Sequence, residues 1–339
     1  MEIEIMNEDY ALNRAPIHRT TQRSFRTWQI SLLTMIVLSL SILTHAQRVI
    51  VEPKAQQQKV ERLPANTKSN PYTTLYYKNG DLNIEAYLYK PEGQGPFPLV
   101  IYNHGSRSGQ ERVEIPFRFI AAILVPQGYA VLVPERRGYG KSDGQTYDEE
   151  VQGDTGDRMM QRFREEASDV LAGLDYLKKG GASADSDRFR PTPAISPIDF
   201  RRVALMGWSH GGVVSLLAAS ERREFVALVD QAGGALTWNH SPTLQHELIT
   251  AASKIKIPAL CVDAENDATT NAAKEVGKAI KSSGEWEQTI IYPPFTPTSN
   301  PSNIAPGHLI FAQGVSIWQD DLLAFLKPRL SADTRRVQP

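Results

Sequence analysis

The run Arg202-Val203-Ala204-Leu205-Met206-Gly207-Trp208-Ser209-His210-Gly211-Gly212-Val213-Val214-Ser215-Leu216-Leu217-Ala218 decides how the rest of the chain is read. Residues 202–206 form a short strand-like stretch, and residues 211–220 continue as an apolar helix. Ser209 falls on the tight turn between them, inside a G-x-S-x-G string. A turn of this kind lifts a serine hydroxyl clear of the sheet and presents it at a helix N-terminus, where a nucleophile is accessible. Gly207 and Gly211 keep the crossing of strand and helix free of side chains. The five-residue string alone carries little weight. The strand before it, the helix after it and the additional Gly212 carry the rest.

Outward from this turn the chain alternates between strand and helix patterns. Strands are expected at 72–77, 82–89, 98–102, 129–133, 225–229, 257–262 and 287–292, besides 202–206. Lys78-Asn79-Gly80-Asp81 joins the first two as a hairpin, for which Asn-Gly is a strong signal. Helices are expected at about 111–127, 158–179, 243–254, 271–281 and 315–326, besides 211–220. Met159, Phe163, Ala167, Val170, Leu174 and Leu177 give the second of these an apolar face at three- and four-residue spacing. Short apolar strands alternating with helices imply an α/β fold: a mostly parallel sheet with an antiparallel N-terminal hairpin and helices on both faces. The segment 181–199, rich in Ala, Asp, Ser and Pro, reads as a surface loop.

Composition fits an ordinary globular protein, with 41% hydrophobic and 22% charged residues in 339. The formal net charge of -1 gives no reason to expect nucleic acid as a partner, which usually demands a basic face. The single cysteine, Cys261, excludes an intramolecular disulfide and sits in an apolar run as a small buried hydrophobe. At the N-terminus, arginines at 14, 19, 23 and 26 precede an apolar segment at 30–43 that ends in Thr44-His45-Ala46. That pattern reads as an export signal over 1–46, cleaved after Ala46 or kept as an anchor that would be the chain's contact with a membrane. Either version puts the catalytic part outside the cytoplasm. A polar linker (47–70), a catalytic domain (71–328) and a loose tail (329–339) complete the expected organisation.

Four runs resemble the α/β-hydrolase superfamily, and within it the dienelactone-hydrolase-like and prolyl-oligopeptidase-like groups. They are Asn103-His104-Gly105-Ser106, Arg137-Gly138-Tyr139-Gly140-Lys141-Ser142, Gly207–Gly212 and the strand-end segment around Asp267. The resemblance covers about residues 72–327. Dienelactone hydrolases proper carry cysteine where this chain has Ser209, so the likeness does not extend to lactone specificity.

In such hydrolases an acid and then a histidine follow the nucleophile in the chain. The strand 257–262 leads into Asp263-Ala264-Glu265-Asn266-Asp267, and the resemblance implies Asp267 as the acid, with Asp263 and Glu265 as competitors. Of seven histidines, only His308 follows the last strand, so chain order assigns it as the base. The oxyanion hole would combine the backbone amides of His210 and, by resemblance, Ser106. Trp208, Trp238 and Phe295 are candidate apolar lining for a substrate pocket. Tyr292–Gly307 is a long, proline-rich loop leading to His308.

These residues imply attack of Ser209 on an acyl carbonyl, without a metal or organic cofactor. The expected substrate is a small-molecule carboxylic ester with a small or medium acyl group. The alternatives are a serine peptidase of the prolyl-oligopeptidase type and a catalytically silent binding protein on the same fold.

Overall fold

The computed structural model describes residues 70–181 and 197–331. The expected leader, the linker up to residue 69, most of the 181–199 loop and residues 332–339 lie outside the described residues. The first hairpin pairs β1 (Tyr72–Asn79) with β2 (Leu82–Tyr89) and turns at Gly80, whose φ of +57° suits a residue without a Cβ. The remaining strands are β3 (Phe97–Asn103), β4 (Ala130–Pro134), β5 (Ile198–Trp208), β6 (Ala227–Gln231), β7 (Ala259–Ala264) and β8 (Glu287–Tyr292). They form one eight-stranded sheet in the order β1-β2-β4-β3-β5-β6-β7-β8. β2 pairs antiparallel with β1 and β4, and every pairing from β4 through β8 is parallel, which is the expected architecture.

Helices α1 (Arg118–Leu124), α2 (Tyr147–Val151), α3 (Asp157–Lys178), α4 (His210–Glu221), α5 (Pro242–Lys254), α6 (Asn271–Ser282), α7 (Ile310–Gln313) and α8 (Val315–Leu330) connect and cover the strands. Successive strand side chains point to opposite faces, so each central strand feeds two cores. Leu99, Ile101, Val203, Leu205 and Cys261 pack in the core built by α3, α4, α5 and α6. Val100, Tyr102, Ala204, Met206, Leu260 and Val262 pack in the other, under α1 and α8. Cys261 is fully buried, as a small hydrophobe should be.

β5 begins at Ile198, inside the segment expected as loop, and α7 was not expected. Three further elements differ from the sequence expectation, each for a local reason. The helix expected at 111–127 is only Arg118–Leu124 plus a tight turn at Val125–Gln127. Pro116 disfavours helical backbone at Ile115, and Phe117 enters the helix with a left-handed φ of 48°. Helix α2 was not expected, although its signature is in the sequence. Thr146 accepts from the Glu149 amide while the Glu149 carboxylate accepts from the Thr146 amide, a reciprocal cap. The last helix runs to Leu330 instead of ending near 326, so Arg329 and Leu330 are helix and not tail. Leu322, Leu326 and Leu330, four residues apart, carry its buried stripe past Pro328.

The order of the sheet positions the site. From β3 the chain moves to β4 on one side and then to β5 on the other. Such a reversal opens a crevice beyond the carboxyl ends of the two strands. Asn103 and Gly207 are register partners at those ends, so the loops that follow them lie side by side.

Candidate active site

Ser209 stands at the turn from β5 into α4 with φ 56° and ψ -120°. A non-glycine residue is strained there, and such strain persists only where the surroundings enforce it. The Ser209 amide donates to Gln231 O at 2.8 Å, tying the turn to the end of β6. The amides of Gly212 and Val213 donate to Ser209 O and start the helix. Asn103 Nδ2 donates to Ser215 Oγ at 2.8 Å and fastens the end of β3 to α4.

His308 arrives from the far side, after β8. Its Nε2 lies 2.7 Å from Ser209 Oγ and its Nδ1 lies 2.7 Å from Asp267 Oδ2. The three residues, 99 and 41 positions apart in the chain, thus form one hydrogen-bonded series. The His308 side chain is 2% exposed and that of Asp267 is fully buried. Asn266 fixes the approach: its Nδ2 donates to Phe295 O, its Oδ1 accepts from the Phe295 amide, and its own O accepts from the Gly307 amide. A Cβ on Gly307 would run into the Asp267 amide, so the acid loop and the histidine loop touch through bare backbone.

The loop after β3, which carries Ser106, lies against the turn that carries Ser209 and His210. Gly105 sits so close to the nucleophile turn that a Cβ on it would be 3.5 Å from Ser209 Cβ. Ser106, next in the chain, is exposed. Among the described residues neither the Ser106 nor the His210 amide donates to a backbone acceptor. Of the three predicted lining residues, only Trp208 lies beside the histidine. Its ring centroid is 5.7 Å from that of His308, and its Nε1 donates to His308 O at 3.1 Å. Trp238 and Phe295 are 5% and 6% exposed and pack into the two cores instead of forming an open wall. Each follows a strand end closely enough for its ring to fold back into the core.

Sequence reasoning named Asp263 only as a rival acid and His210 only for its backbone amide, and it missed what the side chains of both do. The first of them, Asp263, is the last residue but one of β7, fully buried and with no hydrogen-bond donor for its Oδ2. Burial, followed by the charge of the nearby Asp267, pushes its carboxyl up to about 9. The sign of the linkage follows. The folded protein keeps a proton that the unfolded chain releases near pH 3.9, so this group lowers stability progressively as pH rises from there to its raised folded value. Asp263→Asn replaces the carboxyl with a neutral amide that has no proton to retain. It is expected to stabilise the protein by about 1–3 kcal/mol at pH 8 and by less at pH 5. Urea unfolding at the two pH values checks this, and an equal effect at both would contradict it.

The second group surrounds His210. Its ring is boxed by Phe163, Tyr147 and Tyr139, with centroids at 4.6, 4.9 and 6.2 Å. Nε2 bonds to Glu166 Oε2 at 2.7 Å. Burial holds the imidazole below its ordinary range, so it is neutral at pH 7 and donates to the carboxylate. Burial alone would push Glu166 up, but the facing His210 and the guanidinium groups of Arg136 and Arg162 outweigh it and hold the carboxylate well below its usual range. Glu166 and Arg162 lie four residues apart on the apolar side of α3, beside Phe163 and Ala167. A charged pair interrupting an apolar face was the available signal.

The sheet order and the Ser209 turn together place the protein among the serine hydrolases of the α/β-hydrolase fold. The sequence is more specific: residues 48–275 match the model of the X-Pro dipeptidyl-peptidase (S15) family, and the chain belongs to that family. His308 lies beyond the matched stretch. Among curated relatives, the quorum-quenching protein AidA of Acinetobacter baumannii is 25% identical over 187 residues, 54% of this chain and 52% of that protein. Dipeptidyl-peptidase 5 of Porphyromonas gingivalis is 28% identical over 138 residues, 40% of this chain and 17% of that protein. The chain therefore spans about half of the first and less than a fifth of the second. Among solved structures, the acylaminoacyl peptidase of Pyrococcus horikoshii superposes with a TM-score of 0.54 at 16% identity. That match covers 80% of this chain and 44% of the other, a likeness of fold.

Proposed function

We propose that the protein hydrolyses carboxylic esters of small or medium acyl groups through an acyl-enzyme. The observation that carries this reading is the pair of 2.7 Å contacts of His308, one to Ser209 Oγ and one to Asp267 Oδ2. In the proposed reaction Ser209 Oγ attacks the acyl carbonyl while His308 Nε2 takes its proton. Asp267 holds Nδ1–H and stabilises the imidazolium that forms. The amides of Ser106 and His210 receive the developing oxyanion. His308 then protonates the departing alcohol, and in a second round activates the water that frees the acid.

A peptidase reading has support of its own in the family to which the chain belongs and in the dipeptidyl-peptidase it resembles. We favour the ester on chemical grounds. An amide leaves far less readily than an alkoxide, so peptide cleavage draws on binding energy from remote parts of the substrate. Among the described residues the connection from β6 to α5, Ala232–Ser241, is short and adds no further layer over the site. Initial rates on p-nitrophenyl esters of two- to eight-carbon acids, set beside Gly-Pro and Ala-Pro p-nitroanilides, decide between the readings. We expect kcat/KM for the best ester to exceed that for either anilide by at least about 100-fold, some 2.7 kcal/mol of barrier. An anilide value equal to or above the ester value would reverse the ranking.

A further inference from the structure

The two amide donors above belong to different segments, one after β3 and one at the head of α4, and a buried chain of side chains joins them. His210 Nε2 meets Glu166 Oε2 at 2.7 Å, the same oxygen accepts from Arg136 Nε at 2.7 Å, and Arg136 Nη2 donates to His104 O at 3.0 Å. His104 O is the carbonyl that precedes Gly105-Ser106. Glu166 is held in place by Arg162, whose Nε donates to Oε1 at 2.8 Å and whose Nη2 donates to Arg137 O at 2.6 Å. The side chains of Arg136, Arg162 and Glu166 are fully buried.

We propose that Arg136 and Glu166 are positioning residues that fix the Ser106 and His210 amides relative to one another, and so set the geometry of the oxyanion hole. This rests on the acyl-transfer reading of Ser209.

Three observations favour this role over that of a stabilising core ion pair. Taking these fully buried ions out of water is costly, and apolar residues of similar volume generally serve stability as well or better. Arg136 Nη1 has no hydrogen-bond acceptor among the described residues, so the arrangement does not maximise pairing. Arg136 also adopts φ 54°, a left-handed backbone that a long side chain tolerates only under constraint, two residues past the end of β4. All three features are explained if the guanidinium must reach one fixed carbonyl.

The test uses the full chain with Glu166→Gln, His210→Ala and His210→Gln. Active sites are counted by fluorophosphonate labelling run to completion, and kcat and KM are measured on a p-nitrophenyl ester. Inhibition by an alkyl trifluoromethyl ketone, whose serine adduct carries the oxyanion, is measured on the same preparations. Loosening donors by less than an ångström should lower kcat per active site about 10- to 100-fold in Glu166→Gln, with KM within about threefold. Affinity for the trifluoromethyl ketone should fall in the same proportion. His210→Gln keeps a donor for Glu166 and should recover most of the loss seen in His210→Ala. A purely structural role would instead lower the melting temperature or the number of active sites and leave kcat per site and ketone affinity alone.

A folded Glu166→Gln with kcat per site within about twofold of wild type overturns the proposal. Should Glu166→Gln not fold, His210→Ala decides: wild-type kcat and ketone affinity in that variant overturn it equally. Wild-type protein that neither labels nor turns over the ester removes the acyl-transfer reading and this inference with it. Labelled wild type with unaffected variants removes this inference alone.

Discussion

Replacing His308 with alanine is expected to lower kcat on an aryl ester by about 10⁶-fold, with KM nearly unchanged. Among the described residues, His308 Nε2 is the one group at hydrogen-bond distance from Ser209 Oγ, so nothing else stands ready to take the proton. A serine hydroxyl without a base is a poor nucleophile at neutral pH, and the oxyanion donors alone leave only a small residue of catalysis. The substitution should leave the fold intact. The loop is fastened by Asn266 to Phe295 and Gly307, and Trp208 donates to the backbone oxygen of residue 308, not to its ring. Steady-state kinetics beside a thermal melt separate the two effects. A variant that melts like wild type and keeps more than about 1% of its kcat would mean that another group serves as base.

That prediction was largely legible in the sequence, and the reason is chain order. Ser209 is marked by a local pattern, strand, Gly-x-Ser-x-Gly and helix, because the turn that exposes it is itself local. His308 follows once the order serine, acid, histidine is accepted, since the other histidines precede the acid. The acid was less legible. Asp263, Glu265 and Asp267 lie within five residues, and what separates them is which one a loop 41 residues away reaches. Only the fold supplies that contact. It also buries the neighbouring Asp263 fully, and burial together with the charge of Asp267 raises its carboxyl, an effect of the fold and not of sequence position.

The sheet was legible because short continuous apolar runs between turns are the signal of strands buried on both faces. The helix expected at 111–127 was not, because Pro116 and the left-handed Phe117 override the apolar spacing around them. The network from His210 to His104 was least visible. Its links join residues 30 to 44 positions apart, and in one dimension Arg136 and Glu166 look like ordinary charged surface residues. Trp238 and Phe295, candidate pocket lining on sequence, are packed in the two cores, a distinction that residue type alone does not carry.

Gly211→Ala is expected to be the most damaging single methyl group that can be added to the protein's site. A Cβ on Gly211 would overlap the carbonyl of Asn103 and the oxygen of His104, well inside van der Waals contact. These are backbone atoms at the end of a central strand. They cannot rotate away, because Asn103 is in register with Gly207 on β5 and its side chain is bonded to Ser215 on α4. Gly207 is closed in the same manner by Gly211 O and Ser215 Oγ, so a shift of α4 to relieve one clash worsens the other. The expected outcome is a loss of at least about 4 kcal/mol, enough to prevent cooperative folding in many domains. Gly284→Ala supplies the contrast. Its φ of +93° strains any side chain, but nothing lies within 4 Å, so the loss there should be about 1 kcal/mol. Thermal or urea unfolding of the two variants measures the difference. A Gly211→Ala protein that folds cooperatively and melts within a few degrees of Gly284→Ala would show that the strand–helix crossing has slack. The Ser209 turn would then not depend on the close approach that distinguishes a buried Gly-x-Ser-x-Gly from a chance one.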